Sequence, residues 1–69
     1  SMEELLRKNA RLSRKQLKII DEHLELSTKL TRGEAGDETL EEIERRSREM
    51  LEEQRRVDEE SKRIREKLK

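Results

Sequence analysis

Two segments of this chain carry residues in a strict three-then-four alternation, and that spacing constrains the fold more than any other feature. In the first segment the row runs Met2, Leu5, Asn9, Leu12, Gln16, Ile19, His23, Leu26, Leu30. In the second it runs Leu40, Ile43, Ser47, Met50, Gln54, Val57, Ser61, Ile64, Leu68. Residues so spaced fall on one face of an α-helix and form a heptad repeat. Between the segments lies the only helix-breaking stretch, RGEAGD at residues 32–37. Gly33 can take the left-handed conformation that ends a helix, and Asp37 can cap the next one. Ser1 and Glu4 have the spacing of a capping box at the other end. The pattern predicts one helical hairpin over residues 1–69: a helix over about 2–31, a loop over 32–37 and a second helix over about 38–68. A short loop makes the helices antiparallel neighbours. The expected fold class is all-α.

Composition then decides between order and disorder. The chain is 52% charged and has no aromatic residue, cysteine or proline. Such polarity alone suits a disordered segment, but disorder has no use for leucine and isoleucine held in register. Richness in Glu, Arg, Lys and Leu with this period belongs to long helices of the coiled-coil kind. The lack of cysteine excludes disulfides and thiolate metal sites. No apolar run approaches the ~20 residues that a membrane-spanning helix needs, and no targeting signal is visible. Ser1 ahead of Met2 reads as the remnant of a cleaved tag, so a soluble, recombinant, cytoplasmically expressed chain is expected, with its natural location unknown. Formal net charge is zero, which argues against nucleic acid or an anionic membrane as a partner. Residues 7–18 hold six basic side chains and no acid. The facing part of the second helix is acidic (Glu49, Glu52, Glu53, Asp58, Glu59, Glu60), so interhelical ion pairing is expected. No Ser–His–Asp set, phosphate-binding glycine loop or metal-ligand spacing is present. No catalytic residue, cofactor or small-molecule substrate is expected, and the chain reads as a non-enzyme.

Within each heptad row the d positions are all apolar: Leu5, Leu12, Ile19 and Leu26, then Ile43, Met50, Val57 and Ile64. The a positions are polar in the middle and apolar at the ends. Folding the hairpin at its loop brings together residues whose numbers have a constant sum. Asn9 with Ser61, Gln16 with Gln54 and His23 with Ser47 each sum to 70, and the d pairs each sum to 69. Polar layers therefore meet polar layers. An amide or imidazole left alone in a core costs roughly 1–3 kcal/mol, so the arrangement makes sense only if these groups bond one another. Ser13 lies three residues before Gln16, and Ser27 lies four after His23, close enough to join the same layers. The expected buried network is Asn9, Ser13, Gln16, His23, Ser27, Ser47, Gln54 and Ser61. A polar a residue penalises any register or subunit number that leaves it unpaired.

The first helix carries a second stripe: Leu6, Ala10, Ser13, Leu17, Ile20, Leu24, Ser27. The second helix has only Leu51 outside its row. A single partner helix cannot cover so wide a face, so self-association is expected. The imbalance between the helices places the first inside and the second outside, as three inner helices ringed by three outer ones would require. A homotrimer of hairpins, six helices in two rings, is favoured over a four-helix homodimer, and a hairpin adaptor for a different helical chain is the further alternative. The expected oligomer core is Leu5, Leu6, Leu12, Leu17, Ile19, Ile20, Leu24, Leu26, Leu30, Leu40, Ile43, Met50, Val57, Ile64 and Leu68.

With NARLSRKQ on the wide-faced helix, Ser47, Gln54 and Ser61 on the other, and a surface of Glu, Arg and Lys, the whole chain resembles de novo designed helical-hairpin oligomers that use modular buried hydrogen-bond networks. The likeness is one of layering rather than of an alignable signature. It implies a symmetric bundle with a structural purpose and no natural substrate. His23 is the one residue of a type whose charge can change near neutrality. Copies of it brought together would lose an acceptor and repel on protonation, making His23 the candidate pH-sensitive residue. Three such histidines could also bind zinc or nickel, but no second ligand stands on the same stripe, and no metal is expected.

Overall fold

The computed structural model describes residues 1–34 and 36–69, so Ala35 of the expected loop lies outside the described residues. Helix α1 spans Met2–Arg32 and helix α2 spans Leu40–Leu68. At the start of α1, Ser1 Oγ accepts a hydrogen bond from the Glu4 N–H at 3.3 Å. Glu3 and Glu4 place negative charge in that first turn, where the helix dipole favours it. The helix ends at Gly33, with φ 69° and ψ 25°. The Gly33 N–H donates to the Leu30 carbonyl, and the Glu34 N–H donates to the Lys29 carbonyl at 2.7 Å. These bonds satisfy carbonyls that the helix itself leaves open.

Helix α2 begins later than the spacing predicts, and Asp37 is not its cap. Thr39 is: its Oγ1 accepts from the Glu42 N–H at 3.2 Å, and Leu40 is the first helical residue. The two residues between Asp37 and Leu40 have other work. Glu38 binds Arg46, whose Nη1 donates to both carboxylate oxygens at 2.6 and 2.8 Å. Gly36, with φ 66°, turns the chain just before this anchor.

The two helices fold back on one another along their whole length. The molecule measures 48 × 16 × 14 Å, and its long axis matches one 31-residue helix at about 1.5 Å per residue. The core is a single file of d residues: Leu12, Ile19 and Leu26 from α1, and Met50, Val57 and Ile64 from α2. Leu5 and Ile43 are half-buried toward the two ends of the file. The register is the expected one, because Gln16 and Gln54 hydrogen-bond across the seam.

Ile19 is the most deeply buried side chain, at 2% exposure. Replacing Ile19 with Ala is expected to lower the unfolding free energy by about 2–5 kcal/mol. Thr39→Ala, which removes only a cap, is expected to cost about 1 kcal/mol. Urea unfolding of both variants at one fixed chain concentration checks the ranking.

Candidate functional site

The two flanks of the hairpin differ in chemistry. With Met2 and Leu40 taken as position a, the g residues of both helices line one flank and the e residues line the other. The g flank is charged and complementary: Lys8, Lys15 and Glu22 of α1 run opposite Glu60, Glu53 and Arg46 of α2. Lys8, Lys15 and Glu60 line one shallow cleft there, and Glu22, Arg46 and Glu53 line another. The e flank carries Leu6, Ser13, Ile20 and Ser27 on α1 and Glu44, Leu51, Asp58 and Arg65 on α2. Beyond it on α1 lie the b residues Ala10, Leu17 and Leu24.

A groove opens on this second flank, lined by Asn9, Leu12, Ser13, Gln16, Leu17, Val57 and Ser61. Its apolar continuation is uncovered: Leu17 is 66% exposed, Ile20 46%, Leu24 61% and Leu51 61%. Leu51, the one large apolar residue of α2 outside its row, stands level with Ile20 across the seam. Exposed large apolar side chains thus lie on this side of both helices. Leu6, Leu30, Leu40 and Leu68 are exposed as well. Of the expected oligomer core, the single chain buries only six members, all at d positions.

Gln16 and Gln54 sit in the seam at this groove. Gln16 Nε2 donates to Gln54 Oε1 at 2.8 Å, and Gln54 Nε2 donates back to Gln16 Oε1. Gln54 Nε2 also donates to Asp58 Oδ1 at 2.9 Å. The arrangement uses both hydrogens of the Gln54 amide, fixing which way it points. Asp58 is a member that the heptad reasoning missed. Its signal was present: Asp58 lies four residues after Gln54, on the e row, level with Ser13.

The other expected layers do not close within one chain. Asn9, Ser13 and Ser27 are exposed, and His23, Ser47 and Ser61 are half-buried. Among the described residues none of these six makes a side-chain hydrogen bond, and no polar residue is buried. Two helices provide a wall on one side only, so these groups reach the groove or water before they reach each other.

Interhelical ion pairing also fails to appear. Among the described residues, every salt bridge within 4.0 Å joins groups on one helix or ties the loop or amino terminus to its neighbouring helix. Glu49, Glu52 and Glu59 of α2 pair instead with arginines three or four residues away on their own helix. Arg55 donates to Glu52 and to Glu59, both at 2.7 Å. The hydrogen bond from Arg55, reinforced by its charge, lowers the pKa of Glu52 below the usual carboxylate range. The same bond and charge raise that of Arg55.

The described residues hold no group of three metal-ligating side chains and no helix long and apolar enough to cross a membrane. In comparisons with known proteins, no family model, curated protein or solved structure matches this chain.

Two outcomes follow from these contacts. Gln16→Leu or Gln54→Leu alone strands the other amide and is expected to cost about 1–3 kcal/mol where the layer is shielded, while the double Leu variant comes close to neutral. Urea unfolding of the four proteins reads this coupling. The lowered Glu52 pKa stabilises the fold above the ordinary carboxylate range, and that contribution fades as pH falls through the lowered value. NMR titration of the Glu52 side chain is expected to show its midpoint rising toward the ordinary value in Arg55→Gln.

Proposed function

We propose that this chain is a structural self-assembly module, a homotrimer of hairpins with α1 inside and α2 outside. The observation that carries this reading is the e flank. Leu17, Ile20, Leu24 and Leu51 are exposed together there, beside a polar cluster centred on Gln16 and Gln54. Contiguous apolar surface of this kind, rimmed by polar groups, marks an interaction site. Covering it with another helix buries the leucines and shields the amides from water.

The polar rows give the assembly its selectivity. A neighbour in the correct register offers partners to Asn9, Ser13, His23, Ser27, Ser47 and Ser61, which lack side-chain partners in the single chain. A neighbour in another register strands them, at roughly 1–3 kcal/mol per group. Layering of this kind, with a surface of exposed Glu, Arg and Lys, supports the reading of the chain as a designed bundle.

Light scattering or sedimentation equilibrium of the purified chain is expected to give three times the 8.4 kDa chain mass. Twice the chain mass contradicts the trimer in favour of a four-helix dimer. A folded monomer at all concentrations removes self-assembly altogether, and a chain that orders only with another protein makes it an adaptor.

A further inference from the structure

We infer that the helix seated in the open groove is α1 of a second copy running in the same direction, with its Leu17 and Leu24 on Leu51 and its Arg14 beside Asp58. This rests on the self-assembly proposed above and specifies how neighbouring copies meet.

The wall that α2 gives the groove is a row at heptad spacing: Glu44, Leu51, Asp58, Arg65. In the observed register, Leu51 stands at the height of Ile20, and Asp58 at the height of Ser13. The edge of α1 still without a partner carries Glu3, Ala10, Leu17 and Leu24, with Arg14 and Asp21 just behind it.

Direction follows from matching these two edges. A copy running the same way places Leu17 and Leu24 on either side of the Leu51 height and Arg14 next to the Asp58 height. Leucine meets leucine, and a guanidinium meets the carboxylate that already accepts from Gln54. Glu3 likewise comes near Arg65. A copy turned end for end about the middle of α1 brings Asp21 to Asp58, setting like charges together, while either direction leaves one charged residue, Asp21 or Arg14, near the Leu51 height. The like-charge contact disfavours that arrangement.

The groove and the docking edge are different surfaces of one chain. Such a contact does not complement itself, so each copy passes its edge to the next until the ring closes. With all copies parallel, Gln16 of every chain lies at one level, and so do Asn9 and His23. Same-level repetition is what cyclic symmetry needs for polar layers to join between chains.

Cross-linking reads the arrangement directly, because the chain has no cysteine of its own. Leu17→Cys with Leu51→Cys, oxidised at assembly concentration, is expected to give chains joined end to end on a denaturing gel. Arg14→Cys with Leu51→Cys is expected to give at least about tenfold less. The reverse preference, or a link formed only within one chain, overturns the parallel docking. Charge exchange provides a second test, with Asp58→Asn, which keeps an acceptor for Gln54, as the control for loss of that bond. Arg14→Asp and Asp58→Arg are each expected to weaken assembly about tenfold, and together to recover most of it. No recovery in the pair also overturns the docking. In either case the mass of the unaltered chain separates the two ideas: an oligomer without these couplings leaves self-assembly standing, and a monomer removes both.

Discussion

One helix of this hairpin has a wider apolar face than a single neighbour can cover, and the other features of the structure answer to that mismatch. α2 covers the d side of α1 and buries Leu12, Ile19 and Leu26 against Met50, Val57 and Ile64. It leaves Leu17, Ile20 and Leu24 bare on the far side. Charged g residues line the opposite flank without pairing across the seam, so the hairpin has one flank rich in exposed apolar side chains and one that is charged. Leucine and isoleucine on a bare face favour association because burying them removes apolar area from water, at about 25 cal/mol per Å².

The polar cluster gains its meaning from the same geometry. Gln16 and Gln54 satisfy one another across the seam, and Asp58 fixes the orientation of the pair. In a lone hairpin these groups also have water at hand, so the bonds add little discrimination. In the proposed assembly a third helix shuts the groove, so that water leaves and every amide must find its partner inside the protein. In that proposal the hydrogen bonds act chiefly against wrong registers and wrong subunit numbers, while the apolar rows supply the driving force.

Much of this was legible in the sequence, because heptad spacing encodes which residues face each other. The two helices, the left-handed end at Gly33, the d-row core and the Gln16–Gln54 register all follow from spacing alone. What escaped depends on competition among nearby groups. Asp37 and Thr39 both suit a helix cap, and Thr39 prevails where Glu38 is held by Arg46. The acids of α2 were expected to reach across to α1, yet Arg55 lies one turn away from Glu52 and Glu59 and holds them. Asp58 joins the Gln54 amide from a position that a face-by-face reading assigns to solvent. The layers at Asn9–Ser61 and His23–Ser47 were legible as alignments, and a single chain lacks the walls to close them.

The central claim is that in solution the bare edge of α1 is covered. Methyl NMR with a water-soluble paramagnetic probe tests it at individual residues. If the account holds, the methyls of Leu17, Ile20 and Leu24 are as shielded from the probe as that of Ile19, while those of Thr28 and Thr39, exposed and off the docking edge, lose their signal. Equal loss at Leu17, Leu24 and the two threonines, at concentrations where the chain is folded, would contradict it.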